Sequence, residues 1–435
     1  MSTLKAVRGT RDLLPSETGL WNRIEATARS VFERYNFGEI RTPVFEDTAL
    51  FARGVGEETD IVSKEMYTWE DRARAQSEKT QMLTLRPENT AGVVRAYIEH
   101  KLGETGQLQK LYYIGPQFRR ERPQKGRYRQ FSQIGAEVIG PVSAGSESPL
   151  RDAEVLEMLA TLLDELGISG WVLKINSVGS TSDRPAYIAK LKAALEPVVG
   201  QMCADCQRRA VTNPLRVLDC KVPEDQPFID ALPKIADSLD EASRAHFAAV
   251  CTALDAAGVP YVRDHRLVRG LDYYTRTTFE FTHDAGLGTQ NALLGGGRYD
   301  GLSELIGGPK APGIGFAMGE DRLVLTLLES QQTKPSLADA YIAPLGEAQN
   351  AAALELAREL RRASADRLGL KIELGDGSFR LKKSFEAADK VARAIVLLGE
   401  DEVTSGILTV KVFATGVQSK VSRADLAAFL MAAAS

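Results

Sequence analysis

Residue types that define whole classes of protein are scarce in this chain of 435 residues. Four cysteines are too few for a disulfide framework in a chain of this length. The four histidines, His100, His246, His265 and His283, lie far apart, and none belongs to an H-E-x-x-H motif. This distribution disfavours a hydrolytic triad that contains histidine and a metal site that is rich in histidine.

Long apolar segments are also missing. No run approaches the roughly 20 residues that a helix needs to span a bilayer, and the N-terminal segment MSTLKAVRGTRDLLP has no apolar signal core. With 44% hydrophobic and 26% charged residues, the composition is typical of a soluble globular protein. The sequence therefore predicts a cytoplasmic protein with no membrane partner.

The common phosphate-binding loops are missing as well. The chain has neither a G-x-x-x-x-G-K-[ST] motif nor a strand–G-x-G-x-x-G–helix unit, so a bound nucleotide would have to be held by arginine side chains. Cys203 and Cys206 form a C-x-x-C pair with Cys220 downstream, but zinc needs four good ligands and no histidine lies near. We predict reduced thiols and no protein-bound metal here, with zinc as the less favoured alternative.

The hydrophobic pattern predicts a mixture of helices and strands, which is typical of an α+β protein. Helical spacing predicts helices over 15–37, 90–102 and 152–168. Residues 110–118 and 129–140 predict two strands of a long antiparallel hairpin around a polar loop. Further segments predict strands at 38–47, 171–179 and 267–283.

The same pattern predicts the domain organisation. Residues from about 181 to 258 are mostly helical and polar, and they interrupt the strands like an inserted subdomain. We expect one domain over 1–328, a polar linker over 329–337, and a small α/β domain over 338–435, where strand and helix patterns alternate.

A basic segment stands out in a chain whose net charge is -4. Phe118–Glu137 has six basic residues within eleven positions, at 119, 120, 122, 125, 127 and 129. On the strand that follows, Phe131, Gln133 and Glu137 alternate onto one face over roughly 20 Å. That face suits a ligand with phosphates at one end and a hydrogen-donating group at the other. The alternative is a solvated basic hairpin with surface salt bridges.

Three other segments strengthen the anion-binding interpretation. LVRGLDYYTRTTFEF brings Arg269, Tyr273 and Tyr274 together on a predicted strand, where a buried arginine implies an anionic partner. LLGGGRYDGL has three successive glycines that allow close approach of backbone and ligand, although such a triplet is more often a turn. Arg322 opens a helix after GIGFAMGED, and a helix N-terminus favours anions.

LRPENTAG offers a partner for a cation. Glu88 could accept a ligand ammonium group, and Thr90 adds a hydroxyl. The alternative is a plain helix start, because Asn89 or Thr90 before AGVVRAYI has good N-cap chemistry.

At these residues the chain resembles a known family. FRRER…GRYRQF resembles the second signature motif of class II aminoacyl-tRNA synthetases, and GIGFAMGEDRL resembles the third. LVRGLDYYT and GGGRYDGL are similar to the two signatures of histidyl-tRNA synthetases, and VRGTRDLLP and LRPENTA match that family's N-terminal region. The resemblance covers essentially the whole chain. It implies an antiparallel sheet of six or seven strands with flanking helices, a helical insertion, a C-terminal anticodon-binding α/β domain and a homodimer.

The resemblance also implies an activity and its residues. L-Histidine and ATP, with Mg²⁺ bound through its phosphates, would give histidyl-adenylate, which then acylates the 3′ end of histidine tRNA. Implied catalytic residues are Arg119 and Arg269; implied ATP-binding residues are Arg119, Arg127, Phe131 and Arg322; implied histidine-binding residues are Glu88, Asn89, Thr90, Gln133, Glu137, Tyr273 and Tyr274.

Two residues depart from the family pattern, and other functions stay open. Asn89 stands where the family commonly has glycine, and Ser132 stands where histidine is frequent. Basic residues in RLKKSFEAADK, including Lys382 and Lys383, suit RNA phosphates, although a solvated helix face is an alternative. The competing functions are a non-catalytic regulatory paralogue from histidine biosynthesis, another class II synthetase, and a nucleotide-binding module without catalysis.

Overall fold

A computed structural model describes residues 3–56, 59–71, 81–124, 126–284, 291–330, 337–362 and 369–434. The chain divides into two compact units, one within 1–333 and the other within 334–435. Lys125 and most of the expected linker, 331–336, lie outside the described residues. Within the described ranges, no helix is long and apolar enough to cross a membrane.

An eight-stranded sheet forms the centre of the first unit, in the order β1-β5-β6-β11-β10-β9-β7-β8. Its six inner strands are antiparallel, and each edge strand runs parallel to its neighbour. A separate three-stranded sheet has the order β2-β4-β3. The strands are β1 (Gly38–Glu39), β2 (Phe45–Asp47), β3 (Tyr67–Asp71), β4 (Gln81–Leu85), β5 (Gln109–Phe118), β6 (Gln130–Ile139), β7 (Val172–Ser177), β8 (Val262–Arg263), β9 (Thr275–Thr282), β10 (Ala292–Arg298) and β11 (Gly313–Gly319).

Helices cover one face of this sheet and form the main core. The first helix buries Trp21, Ile24, Ala28 and Val31, which is the stripe that the helical spacing predicts. The main core continues into the helix that follows β6, which buries apolar side chains on most of its surface. The helices of the unit are α1 (Pro15–Arg34), α2 (Thr48–Val55), α3 (Thr90–Glu99), α4 (Pro149–Glu165), α5 (Arg184–Leu195), α6 (Ala204–Thr212), α7 (Gln226–Asp230), α8 (Glu241–Ala257), α9 (Leu302–Leu305) and α10 (Glu320–Ser330).

The opposite face of the sheet carries a smaller cluster that is rich in tyrosine. Tyr97 of α3, Tyr273, Tyr274 and Tyr299 pack together there with Ile139. On this face, a polar side chain of an inner strand such as Glu137 of β6 is therefore covered by tyrosine rings and not by solvent. This face holds the cavity described below.

The segment between β7 and β8 has a hydrophobic core of its own. Helices α5, α6 and α7 enclose buried side chains that include Tyr187, Leu191, Cys206 and Leu218. The last helix of the segment, α8, instead packs its buried face into the main core through Val250.

The second unit is a five-stranded mixed sheet in the order β13-β12-β14-β15-β16. Its three strands at one side are parallel, and the other pairings are antiparallel. The elements are β12 (Ala338–Pro344), α11 (Asn350–Arg362), β13 (Ile372–Leu374), α12 (Leu381–Val391), β14 (Ala392–Leu398), α13 (Glu400–Ser405), β15 (Ile407–Val412), β16 (Gln418–Ser422) and α14 (Leu426–Ala434).

The α+β fold class is confirmed, and so is the hairpin, which pairs from Gln109 with Ile139 to Phe118 with Gln130. Two local predictions were wrong. The expected strand 38–47 splits into β1 and β2 around Pro43, which has no amide to give to a ladder. Residues 267–274 form a loop, in which the Asp272 amide donates to Val55 O rather than to a strand. The glycine triplet lies inside β10, which excludes the alternative of a turn.

Candidate active site

A cavity of about 230 Å³ opens on the tyrosine-rich face of the sheet. Acidic, basic and aromatic side chains line it. The lining residues come from β6, β9, β10, β11, the start of α10, the β5–β6 loop, and the segments at the start of α3 and before β9. Ten of the residues chosen from the sequence are in this lining: Glu88, Thr90, Arg119, Arg127, Phe131, Gln133, Arg269, Tyr273, Tyr274 and Arg322. Asn89 and Glu137 are not among the lining residues.

Three arginines from distant parts of the chain meet in this cavity. Arg119 follows β5, and its Nε donates to Pro87 O at 2.8 Å. Arg269 lies in the loop before β9, and its Nη1 contacts Glu280 Oε1 at 2.9 Å. Arg322 lies in the first turn of α10, and its Nη1 donates to Ala292 O. Each guanidinium is thus held by at least one contact in the cavity wall.

The glycine triplet makes room for one of these guanidinium groups. A Cβ atom placed on Gly295 would lie 2.3 Å from Arg269 Nη1, which is far inside van der Waals contact. Burial acts to lower the pKa of Arg269, but Tyr274 and Glu280 outweigh it and the pKa is raised. Arg269 therefore stays charged in a partly buried position, where a fixed cation acts more strongly on a nearby anion than it does in bulk water.

Two carboxylates balance these cations in the ligand-free protein. Glu121 contacts Arg127 at 2.9 Å and Arg119 at 3.8 Å, and Glu280 contacts Arg269. Neither acid was chosen from the sequence, although Glu121 lies within FRRER. An entering anion would compete with these acids, and a divalent cation could bind between them and the anion.

An aromatic platform lies beside the basic wall. The Arg119 guanidinium stacks over the Phe131 ring at 5.4 Å from its centroid. A planar base could lie against such a ring.

Glu88 is a buried acid at the start of α3. Its two carboxylate oxygens accept the backbone amides of Thr90 at 2.8 Å and Ala91 at 3.0 Å. Burial raises the pKa of Glu88, and these hydrogen bonds and Arg119 lower it. Glu88 therefore caps the helix, and its remaining lone pairs face the cavity, where an ammonium group would compensate its charge.

Asn89 faces away from this acid. Its Oδ1 accepts a hydrogen bond from Thr42 Oγ1 at 2.8 Å, and the residue is 1% exposed. Asn89 thus contributes to the fold around α3 rather than to the cavity wall.

Glu137 lies directly behind the cavity wall. Its carboxylate accepts hydrogen bonds from Thr90 Oγ1 at 2.7 Å and from the Tyr299 hydroxyl at 2.6 Å. Burial raises its pKa to about 8, against these two hydrogen bonds, which lower it. Tyr299 was missed in the sequence, although it lies within GGGRYDG and follows a strand that the cavity requires.

Tyrosine rings close the inner end of the cavity. The rings of Tyr273 and Tyr274 have centroids 4.6 Å apart, and Tyr273 meets Tyr299 edge-on at 5.9 Å. Burial raises the pKa of Tyr273 and of Tyr274, so both hydroxyls stay protonated and can donate hydrogen bonds. Nearby, Gln133 Oε1 is buried without a hydrogen-bond partner among the described residues. A polar ligand would satisfy that oxygen.

A larger cavity of about 710 Å³ adjoins the first one and shares Arg119, Arg127 and Arg269 with it. Its other wall comes from the insertion and its surroundings, including Arg209, Arg216 and Arg266. Basic side chains outnumber acidic ones in the lining, so an extended polyanion could lie there.

Comparison with known proteins gives two family matches. The histidyl-tRNA synthetase family model matches residues 9–323, and the anticodon binding domain model matches residues 339–432. Together these matches cover both compact units.

Full-length relatives show the same similarity. The histidine–tRNA ligase of Koribacter versatilis (strain Ellin345) is 69% identical over 428 residues, which are 98% of this chain and 96% of the relative. The histidine–tRNA ligase of Solibacter usitatus (strain Ellin6076) is 56% identical over 99% of each chain.

Solved structures agree with the fold. The crystal structure of apo S. aureus histidyl-tRNA synthetase is similar with a TM-score of 0.78 and 37% identity, over 98% of this chain and 100% of that one. An ATP phosphoribosyltransferase regulatory subunit/histidyl-tRNA synthetase from Bacillus halodurans is similar in fold, with a TM-score of 0.65 and 20% identity, over 92% of this chain and 99% of that one.

Proposed function

Because this chain belongs to the histidyl-tRNA synthetase family, we propose that its smaller cavity holds ATP and histidine side by side and joins them. Its activity is that of a histidine–tRNA ligase, which activates histidine with ATP and transfers it to tRNA. The full-length identity to such ligases favours this activity over the non-catalytic regulatory paralogue that the sequence left open. The observation that carries the proposed site is the meeting of Arg119, Arg269 and Arg322 in one cavity.

The first step needs charge neutralisation more than a protein base. A carboxylate oxygen of histidine attacks the α-phosphorus of ATP, the bond to the β-phosphate oxygen breaks, and pyrophosphate leaves with the bonding electron pair. The nucleophile is already ionised, so no catalytic histidine is required. Arg119 and Arg269 contact the α-phosphate, where negative charge builds up in the transition state. The partly buried and fixed position of Arg269 supports this role.

The remaining phosphates lie toward Arg127 and Arg322, and the adenine base lies against Phe131. Mg²⁺ would enter with the nucleotide and neutralise charge on the leaving pyrophosphate. Glu121 and Glu280 fit such an ion, because carboxylate oxygens are its preferred protein ligands and both face the arginine cluster.

Histidine occupies the inner end of the cavity. Glu88 and Thr90 hold its ammonium group with Gln133 beside them, and the ammonium group compensates the charge of buried Glu88. The imidazole lies against the hydroxyls of Tyr273 and Tyr274, and Glu137, directly behind Thr90, completes its pocket. A neutral imidazole has one donor and one acceptor nitrogen, so a carboxylate and a phenol satisfy both. An analogue without either nitrogen would leave buried polar groups unpaired, which gives strong selection.

The second step brings in the tRNA. We propose that its 3′ end enters the active site through the larger cavity, whose arginines suit a phosphate backbone. Residues 338–435 would bind the anticodon, and the exposed basic residues of α12 support this role. The matches to 9–323 and 339–432 support a catalytic domain over 1–328 and a linker over 329–337. The separate hydrophobic core of α5, α6 and α7 supports an insertion at about 181–258, of which α8 packs into the main core. A cytoplasmic homodimer agrees with the family.

The test is ATP–pyrophosphate exchange measured with each of the twenty amino acids, followed by aminoacylation of histidine tRNA. Exchange that depends on histidine alone is expected. Exchange with another amino acid would place the chain with a different class II specificity, and ATP binding without any exchange would indicate a non-catalytic nucleotide-binding module.

A further inference from the structure

Four potential metal ligands meet in the insertion, away from the active-site cavity. They are Cys203, Cys206, Cys220 and Asp225, and their ligand atoms all lie within 4.8 Å of one another. Cys206, Cys220 and Asp225 are buried, and Cys203 is half-buried. We propose that these residues form a closed zinc site that holds the insertion together.

Two spacings between the ligand atoms are close to those of tetrahedral zinc. With zinc–sulfur bonds of about 2.3 Å and zinc–oxygen bonds of about 2.1 Å, the edges of the tetrahedron are about 3.8 Å between sulfurs and about 3.6 Å between sulfur and oxygen. Cys203 Sγ lies 3.9 Å from Cys220 Sγ, and Cys220 Sγ lies 3.3 Å from Asp225 Oδ2. A disulfide would need sulfurs at about 2.05 Å, and all four cysteines of the chain are free thiols.

The backbone holds these ligands in place independently of an ion. Cys203 is the N-cap of α6 and Cys206 lies in its first turn, where the helix dipole favours thiolate. The Val222 amide donates to Cys220 Sγ at 3.4 Å. The Asp225 carboxylate accepts the Cys203 amide at 3.0 and 3.2 Å, which ties the fourth ligand to the first. Such outer hydrogen bonds are the usual support of metal ligands.

The buried charges also favour a cation. The Asp225 carboxylate is buried and lies beside three thiol groups. A buried carboxylate gains from a paired cation.

Zinc fits this donor set better than other divalent ions. Three thiolates and one carboxylate select a soft tetrahedral ion over Mg²⁺ or Ca²⁺. Binding Zn²⁺ converts the three thiols to thiolates, and their protons pass to solvent. The complex is anionic, and Arg266 lies close enough for its Nη2 to donate to Cys220 O at 3.5 Å. All four positions are protein ligands, so the site is structural rather than catalytic.

The site also positions residues of the larger cavity. Arg209 and Arg216 lie between the second and third ligands, and both line that cavity. Zinc would therefore hold Arg209 and Arg216 in place in the wall of the larger cavity. This effect does not depend on the proposed path of the tRNA.

The proposal is tested on the full-length protein with metal alone as the probe. Protein from cells grown with added zinc should contain about one zinc per chain, as measured by mass spectrometry of the metal. After removal of metal under reducing conditions, Co²⁺ should produce a thiolate charge-transfer band and the intense visible bands of a tetrahedral site. A zinc content below about a tenth per chain after reconstitution, or octahedral cobalt bands without charge transfer, would overturn the proposal. So would a Cys203–Cys220 disulfide that persists in reducing buffer.

Variants locate the ion. Cys206→Ser and Asp225→Asn should each weaken zinc binding by at least about tenfold in competition with a chelator. Asp205→Asn is the matched control, because Asp205 lies in the same helix turn, is exposed and pairs only with Arg208 among the described contacts. Cys251→Ser tests the thiol outside the cluster. Equal zinc affinity of Asp225→Asn and Asp205→Asn would remove Asp225 from the site. Since the cobalt spectrum uses the unmodified chain, the test holds even where a variant fails to fold.

Discussion

Arg269 gives the sharpest test of the proposed first step. Its guanidinium is partly buried in the cavity wall, held by Glu280 at 2.9 Å and packed against the backbone at Gly295. Removing one preorganised donor from a charge-stabilising site costs about 10²–10³ in rate, and removing an arginine that stabilises a transferring phosphate costs about 10³–10⁵. For Arg269→Ala we expect a loss of about 10³-fold in exchange rate, or about 4 kcal/mol in activation free energy.

The assay is histidine-dependent ATP–pyrophosphate exchange at saturating ATP, with the KM for histidine measured in parallel. The KM should change little, because Arg269 acts on the α-phosphate and not on the ammonium or imidazole group. Arg263→Ala, at the exposed edge strand β8, is the matched control and should exchange like the unmodified protein. Exchange by Arg269→Ala within about threefold of normal would refute the role of Arg269, because a catalytic contact of this kind cannot be so weak.

A double variant separates charge stabilisation from an unbalanced acid. Arg269→Ala leaves the Glu280 carboxylate without its partner, and that carboxylate alone could repel ATP. Glu280 is itself proposed to bind Mg²⁺, so the reference is Glu280→Gln alone. If repulsion were the cause, Arg269→Ala combined with Glu280→Gln would exchange about as fast as Glu280→Gln. We expect the double variant to be slower than Glu280→Gln by at least about 10²-fold.

Three further outcomes follow from the structure. Glu137→Gln should raise the KM for histidine by about 10–100-fold while the KM for ATP stays constant. The reason is that the carboxyl group of Glu137, behind Thr90, is proposed to accept a hydrogen bond from the imidazole N–H. An unchanged KM for histidine would remove Glu137 from the histidine pocket. Burial raises the pKa of Glu320 from 4.5 to about 8. Between these pH values the folded protein holds a proton that the unfolded chain has released, so the free energy of unfolding falls as the pH rises through this range. Glu320→Gln should remove this pH dependence, which is at most about 1.4 kcal/mol per pH unit. A Tm difference between the variant and the unmodified protein that is equal at pH 5 and at pH 8 would contradict this. Replacing Lys382 and Lys383 of α12 by Ala should raise the KM for tRNA and flatten its salt dependence without changing exchange, whereas a loss of exchange would show that these exposed lysines act on the fold instead.

The sequence was most informative where a local pattern has one structural meaning. Helical spacing gave α1 with its buried Trp21 and Ile24, and strand alternation placed Gln133 and Glu137 on the inward face of β6. Helices and strands that bury one side can be predicted from sequence, because the spacing of their apolar residues follows from the hydrophobic effect. The roles of the ten cavity residues were implied by the resemblance to the synthetase family. Three of them, Arg269, Tyr273 and Tyr274, lie in a loop that the hydrophobic pattern did not predict.

Features that depend on long-range contacts were not predictable. The loop 267–274 is set by the bond between Asp272 and Val55, more than 200 positions away, so its residues were wrongly predicted as a strand. Glu280 was missed because nothing in the sequence around it indicates a site; only the folded structure shows that it pairs with Arg269. Asp225 escaped notice for the same reason, since an aspartate five residues after Cys220 follows no familiar metal spacing.

The most direct test is a crystal structure of the full chain with a non-hydrolysable histidyl-adenylate analogue. We expect the group that replaces the α-phosphate to lie within hydrogen-bonding distance of Arg119 and Arg269. The imidazole should lie beside Glu137, and the base should lie against Phe131. An analogue bound elsewhere, or bound here with both guanidinium groups turned away from the group that replaces the α-phosphate, would contradict this expectation.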